Sequence, residues 1–199
     1  MIDNKILKGR DWSVIVYPDS APDDWRSMLD SYHFRWLESP LHDKDINTGT
    51  GELKKAHIHL LLSFDGPVTY KYVSQISEKL NSPIPQKVAS GRGLVRYFVH
   101  LDNPEKYQYD KSAIVAHGGA IVEDYFKQTV SEKMQVLEEV ENFIFDNEIT
   151  TFSALIRYAK KEHPEWMDTL RQGSTIYLNA LIKGIWQENR DYIAKNIGK

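Results

Sequence analysis

At 199 residues, 41% of them hydrophobic and 27% charged, the chain is long enough to bury one good core and a smaller second unit. It has no cysteine, which excludes a disulfide framework and a thiolate metal site, so any metal must rest on histidine and carboxylate. The net charge of −3 is unevenly divided: residues 1–120 carry 15 basic and 15 acidic side chains, residues 121–199 carry 10 and 13, so charge permits nucleic-acid binding without indicating it.

Trp12-Ser13-Val14-Ile15-Val16-Tyr17 is β-branched and aromatic and Pro18 ends it, which predicts a strand. Ser20-Ala21-Pro22-Asp23-Asp24 then opens a helix, with a capping Ser, a Pro near the first turn and acids where the helix dipole favours them. Trp25, Met28, Leu29 and Tyr32 supply its apolar stripe. A second strand over residues 34–39 runs into Pro40, and the polar loop that follows begins Leu41-His42-Asp43-Lys44-Asp45. Asn47-Thr48-Gly49-Thr50-Gly51 reverses the chain, making this loop a hairpin neighbour of the next strand.

That strand, residues 55–64, is Lys55-Ala56-His57-Ile58-His59-Leu60-Leu61-Leu62-Ser63-Phe64, with Gly66-Pro67 as its stop. Alternation puts His57 and His59 on one face, about 6.5–7 Å apart, and Ile58, Leu60 and Leu62 on the other. Two imidazoles at that spacing can converge on one divalent ion. The loop adds His42 and one of Asp43 or Asp45, between which spacing does not choose. Three histidines and a carboxylate suit Mn²⁺, Zn²⁺ or a similar ion and are too rich in nitrogen for a dedicated Ca²⁺ or Mg²⁺ cage.

Residues 69–80 are helical in period, capped by Thr69, with Tyr72 or Val73, Ile76 and Leu80 inward. Pro83 and Pro85 break the pattern, and residues 86–89 are a candidate short strand. Leu94-Val95-Arg96-Tyr97-Phe98-Val99-His100-Leu101 predicts a further helix. In it Leu94, Tyr97 and Leu101 share one face, and Arg96 and His100 form a neighbouring row. A tyrosine beside a metal-bearing sheet face, with Arg92 and Arg96 near, is a layout for attack on a phosphodiester through a covalent phosphotyrosine.

Three stretches, Ser39-Pro40-Leu41-His42-Asp43-Lys44-Asp45, Lys55-Ala56-His57-Ile58-His59 and Tyr97-Phe98-Val99-His100 with residues 102–109 behind it, resemble in order and spacing the RepB-type initiators of rolling-circle plasmid replication. Those belong to the HUH endonucleases, named for a His-hydrophobe-His motif. The resemblance spans residues 11–115. It implies metal ligation by His42, Asp45, His57 and His59 and a nucleophilic Tyr97. It also implies a divalent cofactor, with Mn²⁺ favoured over Mg²⁺ or others. In many HUH enzymes a lysine follows the tyrosine within a helical turn; here His100 stands at that distance. Tyr107 and Tyr109 rank below Tyr97 because they lie past Pro104. Lys55, Lys71, Arg92, Arg96 and His100 are the candidates for DNA contact.

Ala116-His117-Gly118-Gly119-Ala120 is a candidate hinge, so residues 116–127 are expected to link a nuclease domain at 1–115 to a helical domain at 128–199. In the latter, Val130, Met134, Leu137 and Ile144 mark one helix, opened by Ser131 and Glu132. Phe152, Leu155, Ile156 and Ala159 mark a second, ended by Pro164, and Leu181, Ile182, Ile185 and Trp186 a third. Three short helices bury little, and the apolar remainder suggests self-association; the resemblance implies a hexamer.

The expected fold is α+β, an antiparallel sheet in a ferredoxin-like or RNA-recognition-like arrangement with helices on one side, followed by a small all-α domain. By resemblance the protein binds repeats at a plasmid origin, nicks one strand in an exposed hairpin loop, stays linked to the 5′ phosphate and leaves a 3′ hydroxyl primer. Host helicase and polymerase are the further partners it implies. A transposase of the same class, a metal hydrolase using bound water and a non-catalytic origin-binding regulator are the alternatives. No run approaches the roughly 18–20 apolar residues of a membrane span, and residues 1–5 lack the apolar centre of a signal peptide, so a cytoplasmic protein without a membrane partner is expected.

Overall fold

β1 (Lys8–Val16) turns Trp12, Val14 and Val16 to one face, and all three are buried. Its partner β3 (Ile58–Thr69) turns Ile58, Leu60, Leu62 and Phe64 to the same face, in register Trp12↔Leu62 and Val14↔Leu60. α1 (Trp25–Asp30) and α2 (Tyr70–Lys79) cover that face with Trp25, Leu29, Val73 and Ile76, and Trp36 of β2 (Arg35–Glu38) completes the core. Thr69 caps α2 by accepting a hydrogen bond from the Tyr72 amide, which fixes where the strand turns into helix.

With β4 (Gln86–Lys87) and β5 (Val115–His117), the sheet runs β4-β1-β3-β2-β5, every neighbouring pair antiparallel. A β-α-β-β-α-β chain laddered 4-1-3-2 is the ferredoxin-like arrangement, here extended by β5 at the β2 edge. The computed structural model describes residues 7–197, with side chains as far as Tyr192. The chain divides into units Met1–Lys127 and Gln128–Lys199. Among the described residues no helix is long and apolar enough to cross a membrane.

The first unit differs from expectation in three ways, each with a local cause. Helices flank both faces: α3 (Gly91–Tyr97) packs Val95, with Phe98 and Val99 beyond it, on Leu37 and Leu61, the side opposite α1 and α2. β3 runs on through Gly66 and Pro67. The β1 register breaks between Gly9 and Asp11, so Pro67 faces no ladder partner and its missing N–H costs nothing there. α3 stops at Tyr97 rather than 101. His100 adopts a left-handed φ of 56°, its N–H returning to Tyr97 O and that of Leu101 to Arg96 O, the paired bonds that close a helix in a Schellman turn.

The hinge expected at residues 116–127 is instead part of the first unit. β5 pairs with β2 through Trp36↔His117 and Leu37↔Ala116, and Val122, Tyr125 and Phe126 pack against the α3 side of the sheet. Gly118 is a close-approach glycine and not a flexible one. At φ +60° a Cβ there would lie 2.1 Å from the Phe34 carbonyl oxygen.

The second unit holds α4 (Val130–Asp146), α5 (Phe152–Glu162), α6 (Met167–Arg171) and α7 (Thr175–Ile197). α4 opens on a capping box between Thr129 and Glu132. Val140, Ile144, Leu155, Ala159, Trp166, Leu170, Leu178 and Ile182 form its core. α6 is additional to the three helices expected. Pro164 ends one helix and also sits at the first position of the next turn, a place proline fits, which carries Trp166 into the core.

Candidate metal and tyrosine site

Because β3 alternates, the residues opposite its apolar set face α3, and these are His57, His59, Leu61 and Ser63. His42 joins them through an isolated antiparallel bridge to His57, with His42 N–H on His57 O at 2.8 Å. A second bridge, Ile46↔Leu53, closes the intervening loop. His42, His57 and His59 are all buried, and one ring nitrogen from each lies within 4.8 Å of the others.

Backbone carbonyls fix the tautomers. A carbonyl only accepts, so the Nε2 that stands 2.8 Å from Phe98 O makes His42 an Nε2–H donor and leaves its Nδ1 lone pair free. His57 donates from Nδ1 to Lys55 O at 2.8 Å, freeing Nε2. The buried His42 Nδ1 and His59 Nε2 have no hydrogen-bond partner among the described residues. Burial pushes His59 down from 6.5 to about 2, the neighbouring histidines adding to it, and lowers His42 for the same leading reason. Imidazoles that donate to carbonyls, as His42 and His57 do, and turn their other nitrogen inward beside the unpartnered Nε2 of His59 are in the form that ligates a divalent ion, so the residues fit one.

The carboxylate facing this cluster is Asp45. Its Oδ2 lies 3.4 Å from His42 Nδ1 and 3.7 Å from His100 Nε2, with its side chain 4% exposed. The Asp43 side chain is 46% exposed and lies 4.0 Å from Lys44 Nζ. Asp45 groups with His42 and His100, whereas His57 and His59 group with His42. His42 is therefore the residue the two sets share. Tyr109 stacks on the His42 ring at 4.4 Å and 9°, and donates its hydroxyl to Asp45 Oδ1 at 3.3 Å.

Tyr97 ends α3 over the histidine face, its ring 5.4 Å from that of His59 and 6.4 Å from that of His42. It lines an open cavity of about 550 Å³ together with His57, His59, Tyr17, Lys54 and Lys55. Lys106 Nζ donates to the Tyr97 hydroxyl at 3.1 Å and lies 4.5 Å from its ring centre.

Two matches with known proteins bear on what such a site belongs to. Residues 4–123 match the family described as plasmid replication protein, origin binding domain, and residues 130–187 match replication protein RepB, C-terminal. The chain belongs to the RepB-type plasmid replication initiators. Replication protein RepB of Lactiplantibacillus plantarum is 37% identical over 194 residues, 96% of this chain and 87% of that protein. A replication protein of Staphylococcus aureus is 35% identical over 182 residues, 91% of each chain. RepB of Streptococcus agalactiae is 29% identical over 146 residues, 69% of this chain and 70% of its own.

In this RepB-type initiator the side chains expected to touch DNA are scattered. Lys55 borders the cavity, paired with Asp19 at 3.1 Å and lying over the Tyr17 ring. Arg96 is held by Asp102, with Nε on Oδ2 at 2.8 Å, and Arg92 reaches Lys127 O at 3.2 Å. Lys71 is exposed on α2, which covers the opposite face of the sheet. His100 does not hold as a DNA contact: it is fully buried, its Nδ1 on Tyr107 O at 2.7 Å and its Nε2 toward Asp45. Nor does it share a helical row with Arg96, since α3 has already ended.

The sequence pattern missed Lys106 and the part played by Tyr109. Lys106 does not follow Tyr97 within a helical turn; it comes from the loop beyond Pro104, where only the run Glu105-Lys106-Tyr107-Gln108-Tyr109 hinted at it. Tyr109 is buried enough to be pushed up to about 12, and its oxygen also accepts from the Lys44 amide at 3.0 Å. Burial outweighs that amide, which alone would favour the charged form, and keeps Tyr109 a neutral phenol suited to structure.

Proposed function

We propose that this RepB-type initiator nicks one strand at its plasmid's origin by transesterification through Tyr97. The observation that carries the reading is the Lys106 ammonium on the hydroxyl of a tyrosine that overhangs buried, lone-pair-bearing histidines. In that reaction the Tyr97 oxygen forms a bond to phosphorus and the bond from phosphorus to the 3′ oxygen breaks. The phenol gives up its proton to solvent and the departing oxygen gains one, leaving a 5′-phosphotyrosine and a 3′ hydroxyl that primes synthesis.

Lys106 holds the phenol oxygen and stabilises its charge as the proton leaves. His42, Asp45, His57 and His59 would hold a divalent ion, Mn²⁺ first by their nitrogen-rich set and Mg²⁺ or another as the alternative. When bound, the ion supplies charge to the non-bridging phosphate oxygens. Lys54 and Lys55 at the cavity wall answer the phosphates on either side. The substrate is the nick site in a hairpin loop near the origin repeats, where the strand is single and the phosphate reachable.

The helical unit serves self-association, as a hexamer, with host helicase and polymerase as later partners in the cytoplasm. Exposed Met134, Phe145, Ile176 and Trp186 support an association surface. The test is a denaturing gel of the protein with Mn²⁺ and labelled single-stranded oligonucleotides tiled across the plasmid's origin. A protein–DNA adduct that forms with wild type and is lost in Tyr97→Phe is the expected result. Cleavage that survives Tyr97→Phe would replace the covalent reading by hydrolysis through water. Binding without any cleavage would leave an origin-binding regulator.

A further inference from the structure

We propose that His100 is a ligand of the same ion, donating from Nε2 to a site shared with His42, Asp45, His57 and His59. The inference rests on the metal reading above and adds to it a residue outside the ligand set that the motifs imply.

Tyr107 O can only accept, so the 2.7 Å contact makes His100 Nδ1 the protonated nitrogen and leaves a lone pair on Nε2. That Nε2 is buried, has no hydrogen-bond partner among the described residues and stands 3.7 Å from Asp45 Oδ2. His42 Nδ1, also a lone pair, stands 3.4 Å from the same oxygen. Three electron-rich atoms facing one another out of water are costly unless a positive charge lies among them.

A shared proton does not fit, because charge-assisted N–H···O contacts run at about 2.7–2.9 Å. Ligands held at about 2.0–2.2 Å from an ion stand roughly 3–3.5 Å from each other, close to the separations here. The two groups stand as separate clusters that share His42; because His42 has a single free nitrogen, its Nε2 being committed to Phe98 O, one ion bound on it would serve both.

The backbone gives an independent sign. His100 occupies the left-handed position of the Schellman turn that ends α3, with φ 56°, a place glycine or asparagine normally takes. A buried aromatic ring held there has a conformational cost, and such residues gather at sites where their side chain has a task. The turn carries the imidazole from the end of the tyrosine helix back to Asp45. One short segment thus provides both the proposed nucleophile and a ligand.

The experiment loads the full chain with Mn²⁺ alone and counts coordinated imidazoles by pulsed electron paramagnetic resonance. Four are expected in wild type. In His100→Asn the count falls to three and Mn²⁺ binds about 10–100-fold more weakly. Asparagine tolerates the left-handed backbone and keeps an N–H for Tyr107 O, so the metal-free melting temperature should hold. Three imidazoles in wild type, or an unchanged count in the variant, overturns the inference while the adduct assay still stands. A wild-type protein that takes up no Mn²⁺ overturns both this and the metal part of the proposed function. Should His100→Asn fail to fold, the wild-type count decides alone.

Discussion

The two faces of β3 are made by one stretch of chain and obey opposite rules. Ile58, Leu60, Leu62 and Phe64 are buried in one apolar cluster with residues of α1 and α2, and that face supplies stability. One residue out of step, His57 and His59 are just as buried, yet polar atoms among them stay unsatisfied. A fold optimised only for stability would place leucine there. The difference teaches that the second face is held in shape by the first, and that its unmet polar groups are the mark of a site.

Neighbouring residues on that strand give the sharpest way to break the comparison. Leu60→Ala should destabilise the first unit by about 2–5 kcal/mol, seen by denaturant unfolding. His59→Ala should move metal-free stability by no more than about 1 kcal/mol. In calorimetric titration it should weaken Mn²⁺ binding at least 100-fold, about 2.7 kcal/mol. Equal effects of the two on unfolding would end the division of labour between the faces.

Lys106→Met sharpens the same contrast at the tyrosine. Loss of a charged hydrogen bond to the phenol, roughly 1.5–3 kcal/mol, should slow adduct formation about 10–100-fold while Mn²⁺ affinity is kept. Unchanged adduct kinetics would mean that Lys106 only packs on the ring.

A smaller effect follows from burial of the histidines. His59 is lowered from 6.5 to about 2 in the folded protein, so below about 6.5 the unfolded chain binds the extra proton and the folded one resists it. Stability of the metal-free protein is therefore full above that pH and falls as pH drops from 6.5 toward 2, by at most about 1.4 kcal/mol per pH unit for this group. His59→Gln should flatten the slope, read as melting temperature against pH. Smallest is Thr129→Ala, which removes the α4 capping box and should cost about 1 kcal/mol in the helical unit alone, with Mn²⁺ binding untouched.

Much of this arrangement was legible in the sequence where the signal is local. The two-residue period of residues 55–64 places both histidines on one side, and Thr69 marks the start of α2. What escaped depends on where distant chain returns. Pro67 looked like a stop, but it lies in a bulged part of β3 left unpaired by the short step from Gly9 to Asp11 in β1, almost sixty residues away. Nothing in the spacing of Asp43 and Asp45 says which turns inward; the bridge from His42 to His57 does. The helix through residue 101 was a fair reading of period, overturned by one left-handed residue. Lys106 was out of reach because its partner is set by the fold of a loop and not by a helical turn.

The outermost strands of the sheet are its shortest, two residues in β4 and three in β5. A border so brief offers a neighbouring molecule almost no row of free amides and carbonyls to extend. Copies of the first unit crowded together on one stretch of DNA are therefore poor templates for growing a shared sheet through these two strands.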